Sequence, residues 1–212
     1  MTKVNKFWDN QAKNYDKSEE RYDQIHLKIT KNTLKYLHED NIVLDYGCGT
    51  GTKTLLLADK VEKIHGIDIS LKMIEKARSK TIKHKIMNVK FEHSPILKTD
   101  FENEKFDVIL AFNVLHVIDN IHHVLPRIHQ LLKPGGLFIS ATPCLKEKMQ
   151  FLKKLQLTFY SFMIKFGVVP NFLTKFKFSD MERHISNEKF HILDTEQLYY
   201  KVSNYFIVAK KV

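Results

Sequence analysis

The chain has 212 residues, 43% of them hydrophobic and 27% charged, which excludes a disordered chain, a collagen and a disulfide-stapled miniprotein. That length is enough for a single domain that buries roughly 70% of its unfolded surface without covalent staples. The net charge of +10 suggests anionic partners, but only Arg21, Arg78, Arg127 and Arg183 are arginines, so the rigid forks that read bases are scarce and a nucleic-acid partner is not expected.

The elements alternate. Residues 1–40 are polar and predict helices, with Phe7, Trp8, Tyr15 and Tyr22 as aromatic points; without an apolar core segment they do not read as a secretory signal. Residues 42–46 predict a strand that ends in glycines, and 53–61 a helix. Residues 63–69 predict a second strand, after which Ser70 suits the N-cap of a helix with Leu71, Ile74 and Ala77 at helical spacing. Third and fourth strands fall at 89–94 and 106–113, the latter apolar throughout as in the buried centre of a parallel sheet. A helix over 119–132 stops at Lys133-Pro134-Gly135-Gly136, and 137–142 predict a fifth strand. Residues 190–200 and 204–210 alternate and pair as two last strands. This order predicts an α/β fold: a doubly wound, mostly parallel, seven-stranded sheet with N-terminal helices. No run is apolar enough to span a membrane, and two cysteines give no disulfide framework, so a cytoplasmic setting is expected.

The strongest chemical signal is Val43-Leu44-Asp45-Tyr46-Gly47-Cys48-Gly49-Thr50-Gly51, which joins the first strand to a helix. Glycines there let the backbone turn tightly and approach a ligand. A phosphate-binding loop would need glycine before Lys53, where Thr52 stands; a dinucleotide fingerprint would need G-x-G-x-x-G, whereas the spacing is G-x-G-x-G. Asp45 suits a cationic ligand. Asp68, closing the second strand, suits a ribose diol.

VLDYGCGTG followed by GIDIS at 66–70 resembles the class I S-adenosylmethionine-dependent methyltransferases. Phe7-Trp8-Asp9 with Ala12, Tyr15 and Asp16, the Asn113-Val114-Leu115-His116 segment, and Leu131 to Gly136 are similar to small-molecule members of the quinone-biosynthesis type. The resemblance implies a Rossmann-like methyltransferase fold, with S-adenosylmethionine as cofactor and S-adenosylhomocysteine as product. Carried over residue by residue, it implies that Asp45, Gly47, Cys48, Gly49 and Gly51 surround the methionine part, that Asp68 holds the ribose, and that Ile69 lies against the adenine. Asn113 would sit beside the methionine end, and Trp8 and Tyr15 would belong to a lid formed by residues 1–40. The family often carries an acidic residue after the third strand; here the stretch is Glu92-His93-Ser94-Pro95-Ile96, leaving Ser94 and Pro95 for the adenine.

Other chemistries are less well served. Cys144 follows Pro143 after the fifth strand, but the Pro-Cys segment after strand four that RNA cytosine methyltransferases share is replaced by Phe112-Asn113-Val114-Leu115. Eleven histidines lack metal-ligand spacing, and no metal is expected. His116, just past the fourth strand, is the candidate general base for a hydroxyl or amine nucleophile, or else holds its loop by hydrogen bonds. The expected function is in-line methyl transfer to a small apolar or aromatic acceptor. A nucleic-acid methyltransferase and a non-catalytic S-adenosylmethionine-binding protein are the alternatives.

Residues 145–178 stand apart, with eight aromatics and seven lysines against Glu147. Leu152, Leu155, Phe159, Phe162 and Phe166 fall at helical spacing, and Gly167 and Pro170 predict a break. An insertion here lies beside the carboxyl ends of the strands, so it is expected to form a helical cap whose aromatics line the acceptor pocket. Its lysines suit an acidic group on the acceptor or peripheral contact with an anionic membrane.

Overall fold

The computed structural model describes residues 2–20, 23–166 and 173–212. The N-terminal stretch forms α1 (Lys3–Gln11), α2 (Tyr15–Glu20) and α3 (Asp23–Thr33), and Thr2 caps α1 by accepting from the Asn5 amide. The alternating region then runs β1 (Ile42–Tyr46), α4 (Thr52–Leu57), β2 (Lys63–Asp68), α5 (Leu71–Lys83), β3 (Val89–His93), β4 (Phe106–Phe112), α6 (Ile121–Leu131) and β5 (Leu132–Pro143). After it come α7 (Phe151–Lys165), α8 (Phe178–Asn187), β6 (Phe190–Tyr200) and β7 (Val202–Lys211).

The strands form one seven-stranded sheet in the order β3-β2-β1-β4-β5-β7-β6. Pairing is parallel from β3 to β5, while β7 runs antiparallel to both β5 and β6. β4 is central and buried on both faces, which explains its unbroken apolar run. Ile109 and Ala111 join the core on one side, and Val108, Leu110 and Phe112 the core on the other, as the two-residue period of a strand requires. Ser70 caps α5 by accepting from the Met73 amide at 3.2 Å. That helix buries Met73, Ile74 and Ala77, while Leu71 faces outward.

Two expectations need correction. The Lys133-Pro134-Gly135-Gly136 turn does not precede the fifth strand but lies inside it, absorbed as an irregular register between β4 and β5 around Phe106 and Val108. The stripe Leu152, Leu155, Phe159, Phe162 and Phe166 faces neither the sheet nor a pocket but solvent. α7 is apolar around most of its circumference, so spacing alone did not fix its inner face. The Gly167–Pro170 break, with Phe172 and Tyr22, lies outside the described residues.

Candidate functional site

The chain leaves β1 through the glycine loop into α4. The Gly47 and Cys48 amides both donate to the carbonyl of Ile67, at 2.9 and 3.1 Å, which ties the loop to the end of β2. Gly47 and Gly51 each have φ +73°, in the left-handed region that side chains disfavour. Space is closed at both: a Cβ on Gly47 would lie 2.6 Å from Val114 Cγ2, and one on Gly51 2.5 Å from Phe91 Cζ. The loop is therefore pressed against the segments that follow β4 and β2's neighbour β3.

Asp68 closes β2. One carboxylate oxygen accepts from the Gly49 amide at 3.0 Å and the other from the Ser70 amide at 2.8 Å. Burial raises its pKa, and these two donors oppose the rise. Each oxygen keeps a further lone pair, so both remain able to accept from a diol.

A cavity opens above these groups. Of the expected cofactor residues, Trp8, Tyr15, Gly47, Gly49, Asp68, Ile69 and Asn113 line it. Asp45, Cys48, Gly51, Ser94 and Pro95 lie outside that lining. Asp45 is 3% exposed and accepts from Thr54 Oγ1 at 2.6 Å; burial raises its pKa to about 6 despite that bond. Cys48 turns its sulfur toward Gly66, and Gly51 is the N-cap of α4. Ser94 hydrogen-bonds locally to the Pro95 carbonyl, and Pro95 is exposed. Tyr46, Met73, Val114, Val117 and Ile118 complete the wall without having been singled out in the sequence. Among the lining residues, Asp68 carries the only charge. Tyr46, Trp8 and Tyr15 add π faces, so the site favours a cationic ligand that also bears a diol.

The N-terminal helices are fastened over this cavity. Asp9 of α1 accepts from Ser70 Oγ at 2.6 Å and from the Lys72 amide at 3.2 Å, at the start of α5. Asp16 of α2 accepts from Thr50 Oγ1 at 2.5 Å and from Lys80 Nζ at 2.8 Å. Partial burial pushes the Asp16 pKa up, but the Lys80 and Thr50 contacts outweigh it and hold the carboxyl below its ordinary value. Together they place the Tyr15 ring 3.5 Å from the position a Cβ on Gly49 would occupy. Asp16→Ala should therefore accelerate limited proteolysis within residues 1–20 several-fold. Early cleavage products measured by mass spectrometry at an unchanged rate would show that this contact does not fasten the helices.

A second, open cavity adjoins the first, and Trp8 and Val117 line both. Its other walls are Phe7, His116, Leu145, Met149, Leu173, Val202 and the inner face of α7, namely Lys153, Gln156, Leu157 and Tyr160. His116 does not fasten its loop through its ring. The backbone does so, with the Thr174 amide donating to the His116 carbonyl at 2.7 Å, while the buried Nδ1 has no hydrogen-bond partner among the described residues. Burial lowers its pKa to about 4, so the imidazole is neutral at physiological pH. Cys144 is fully buried and its thiol is pushed up to about 12 by burial, which removes it as a nucleophile. The histidines of α6 pack or hydrogen-bond locally: His122 meets His184 and His129 meets Phe190 edge to face, and His123 meets Asn120.

A family model described as a methyltransferase domain matches residues 37–205. The chain belongs to that family. Its sheet is that of the class I S-adenosylmethionine-dependent methyltransferases. A demethylmenaquinone methyltransferase of Geobacillus stearothermophilus is 28% identical over 80% of this chain and 73% of its own length. An uncharacterised protein of Methanocaldococcus jannaschii is 31% identical over 64% of this chain, and the match spans 50% of that relative. Among solved structures, a Pyrococcus horikoshii protein superposes with TM-score 0.72 at 23% identity, covering 90% of this chain and 91% of its own. A geranyl diphosphate methyltransferase in complex with geranyl diphosphate and sinefungin superposes with TM-score 0.69 at 14% identity, covering 86% and 76%. At these identities the structural likenesses establish the fold alone.

Proposed function

We propose that this methyltransferase-family chain transfers a methyl group from S-adenosylmethionine to a small apolar or aromatic acceptor held in the second cavity. The observation that carries this reading is the pair of cavities with a common wall: one whose only charged lining residue is Asp68, the other largely apolar. The demethylmenaquinone and geranyl diphosphate methyltransferases among its relatives are named for small-molecule acceptors, which supports the acceptor class. When bound, the donor supplies an electrophilic methyl on a sulfonium. Asp68 then accepts from the ribose hydroxyls, and the Gly47–Gly49 backbone and Asn113 flank the methionine part. Residues 1–40 act as a lid in which Trp8 and Tyr15 exclude water, while the walls of the second cavity align the acceptor in line with the reacting bond. His116 lines the second cavity with a neutral imidazole, available to take a proton from a hydroxyl or amine.

Incubating the protein with labelled donor and a lysate, then separating small molecules, lipid, RNA and protein, tests the reading. Label is expected in the small-molecule or lipid fraction. Label in RNA or protein, or donor binding without any transfer, overturns it.

The neutral imidazole is the competent form of His116, and burial lowers its pKa, so protonation should silence it only as pH falls toward about 4 rather than through 6.5. Wild-type turnover should hold from pH 8 down to about 5 and then decline. His116→Gln should cut turnover roughly 100-fold and flatten that acid limb. An unchanged rate and profile would remove His116 from the reaction.

A further inference from the structure

The outward face of α7 is unlike the rest of the surface. Phe151, Leu152, Leu155, Phe159, Phe162 and Phe166 form one continuous ridge there, each between 58% and 77% exposed. The Phe162 and Phe166 rings meet in a tilted contact with centroids 4.5 Å apart, so the ridge is contiguous there. Soluble surfaces carry such residues singly, whereas a contiguous run of them marks a contact. Charge identifies the partner. Lys154 and Lys165 flank the ridge on one side by helical spacing, and Lys175 lies on that same side with its Nζ 3.2 Å from Ser161 Oγ. The sequence has no acidic residue between Glu147 and Asp180. A basic flank beside a Phe/Leu ridge on a helix too short to cross a bilayer is the pattern of a helix lying in the plane of a lipid surface. A second copy packed antiparallel on the ridge would instead set two lysine rows against each other.

We propose that α7 is an interfacial anchor that docks this protein on an anionic lipid surface, its phenylalanines among the acyl chains and its lysines at the headgroups. The opposite face of the helix, with Leu157 and Tyr160, roofs the second cavity, so docking sets the roof of that cavity at the lipid. The anchor itself does not require the second cavity to be an acceptor site.

Flotation of the full chain with phosphatidylcholine vesicles, with and without 30% phosphatidylglycerol, tests the anchor and needs no methyl donor. Binding is expected to the anionic vesicles, with each lysine near the surface worth about fivefold in partition and the binding weakened by salt. Phe159→Gln/Phe162→Gln should reduce binding at least tenfold, and Lys154→Glu/Lys165→Glu should abolish the preference for anionic vesicles. These side chains are exposed, so both variants should keep wild-type calorimetric affinity for S-adenosylmethionine, which certifies the fold. Binding equal on neutral and anionic vesicles, no binding to either, or binding indifferent to both double variants overturns the proposal. So does a wild-type dimer at micromolar concentration that Phe159→Gln/Phe162→Gln makes monomeric, since a second copy would then own the ridge.

Discussion

Asp68→Ala should raise the dissociation constant for S-adenosylmethionine roughly 30- to 150-fold, with calorimetry as the measurement. Among the described residues the carboxylate is the only charged group lining the first cavity, and both of its oxygens keep a lone pair for a diol. Hydrogen bonds to a charged acceptor are worth about 1.5–3 kcal/mol, and losing them here should cost about 2–3 kcal/mol. Part of that loss comes from the loop, because the Gly49 and Ser70 amides lose their acceptor as well. Asp68→Asn, which keeps the shape and one oxygen, should lie between wild type and the alanine variant. Unchanged affinity in the alanine variant would show that either the ligand or the site has been misassigned.

Gly47→Ala should have a large effect on stability. Its φ of +73° costs a side chain about 1–2 kcal/mol, and the new methyl would lie 2.6 Å from Val114 Cγ2 and 2.8 Å from Val114 Cβ. Overpacking of that kind adds roughly 1–3 kcal/mol, so the melting temperature should fall by about 5–15 °C. Gly47→Ala/Val114→Ala separates the two costs. It should relieve the clash with the Cγ atoms and leave the Cβ contact and the backbone part, a non-additivity expected of residues in contact. A Gly47→Ala protein that melts like wild type would mean that the loop is not pressed against Val114.

Local chemistry made much of this architecture legible in advance. Strand edges around Asp45, Asp68 and Phe112 show as apolar runs cut by glycine, serine or asparagine, and the repeated units then force a parallel sheet. Asp68 was readable because a carboxylate at a strand end needs a reason to be there. Tyr46, Met73, Val114, Val117 and Ile118 were not, because an apolar wall and an apolar core have the same composition. The surroundings of Asp45 were unreadable for a different reason: its position in the motif is next to the glycine loop, while the alternation of the strand turns its side chain onto Thr54. α7 defeated periodicity altogether. With Leu157 and Tyr160 opposite a ridge of leucines and phenylalanines, no arc of the helix was marked as inward, and only the half-burial of Leu157 and Tyr160 along the second cavity decides it.

Trp8 lines both cavities, and it is the sole tryptophan of the chain. Nearly all the fluorescence that this protein emits on excitation at long ultraviolet wavelengths therefore originates from one indole standing between the two compartments. Filling either compartment changes the polarity around that indole, so a ligand of either one can be titrated in unlabelled protein. Adding one ligand of each in both orders in a stopped-flow instrument would then time which compartment fills first, with no dye attached and no residue altered.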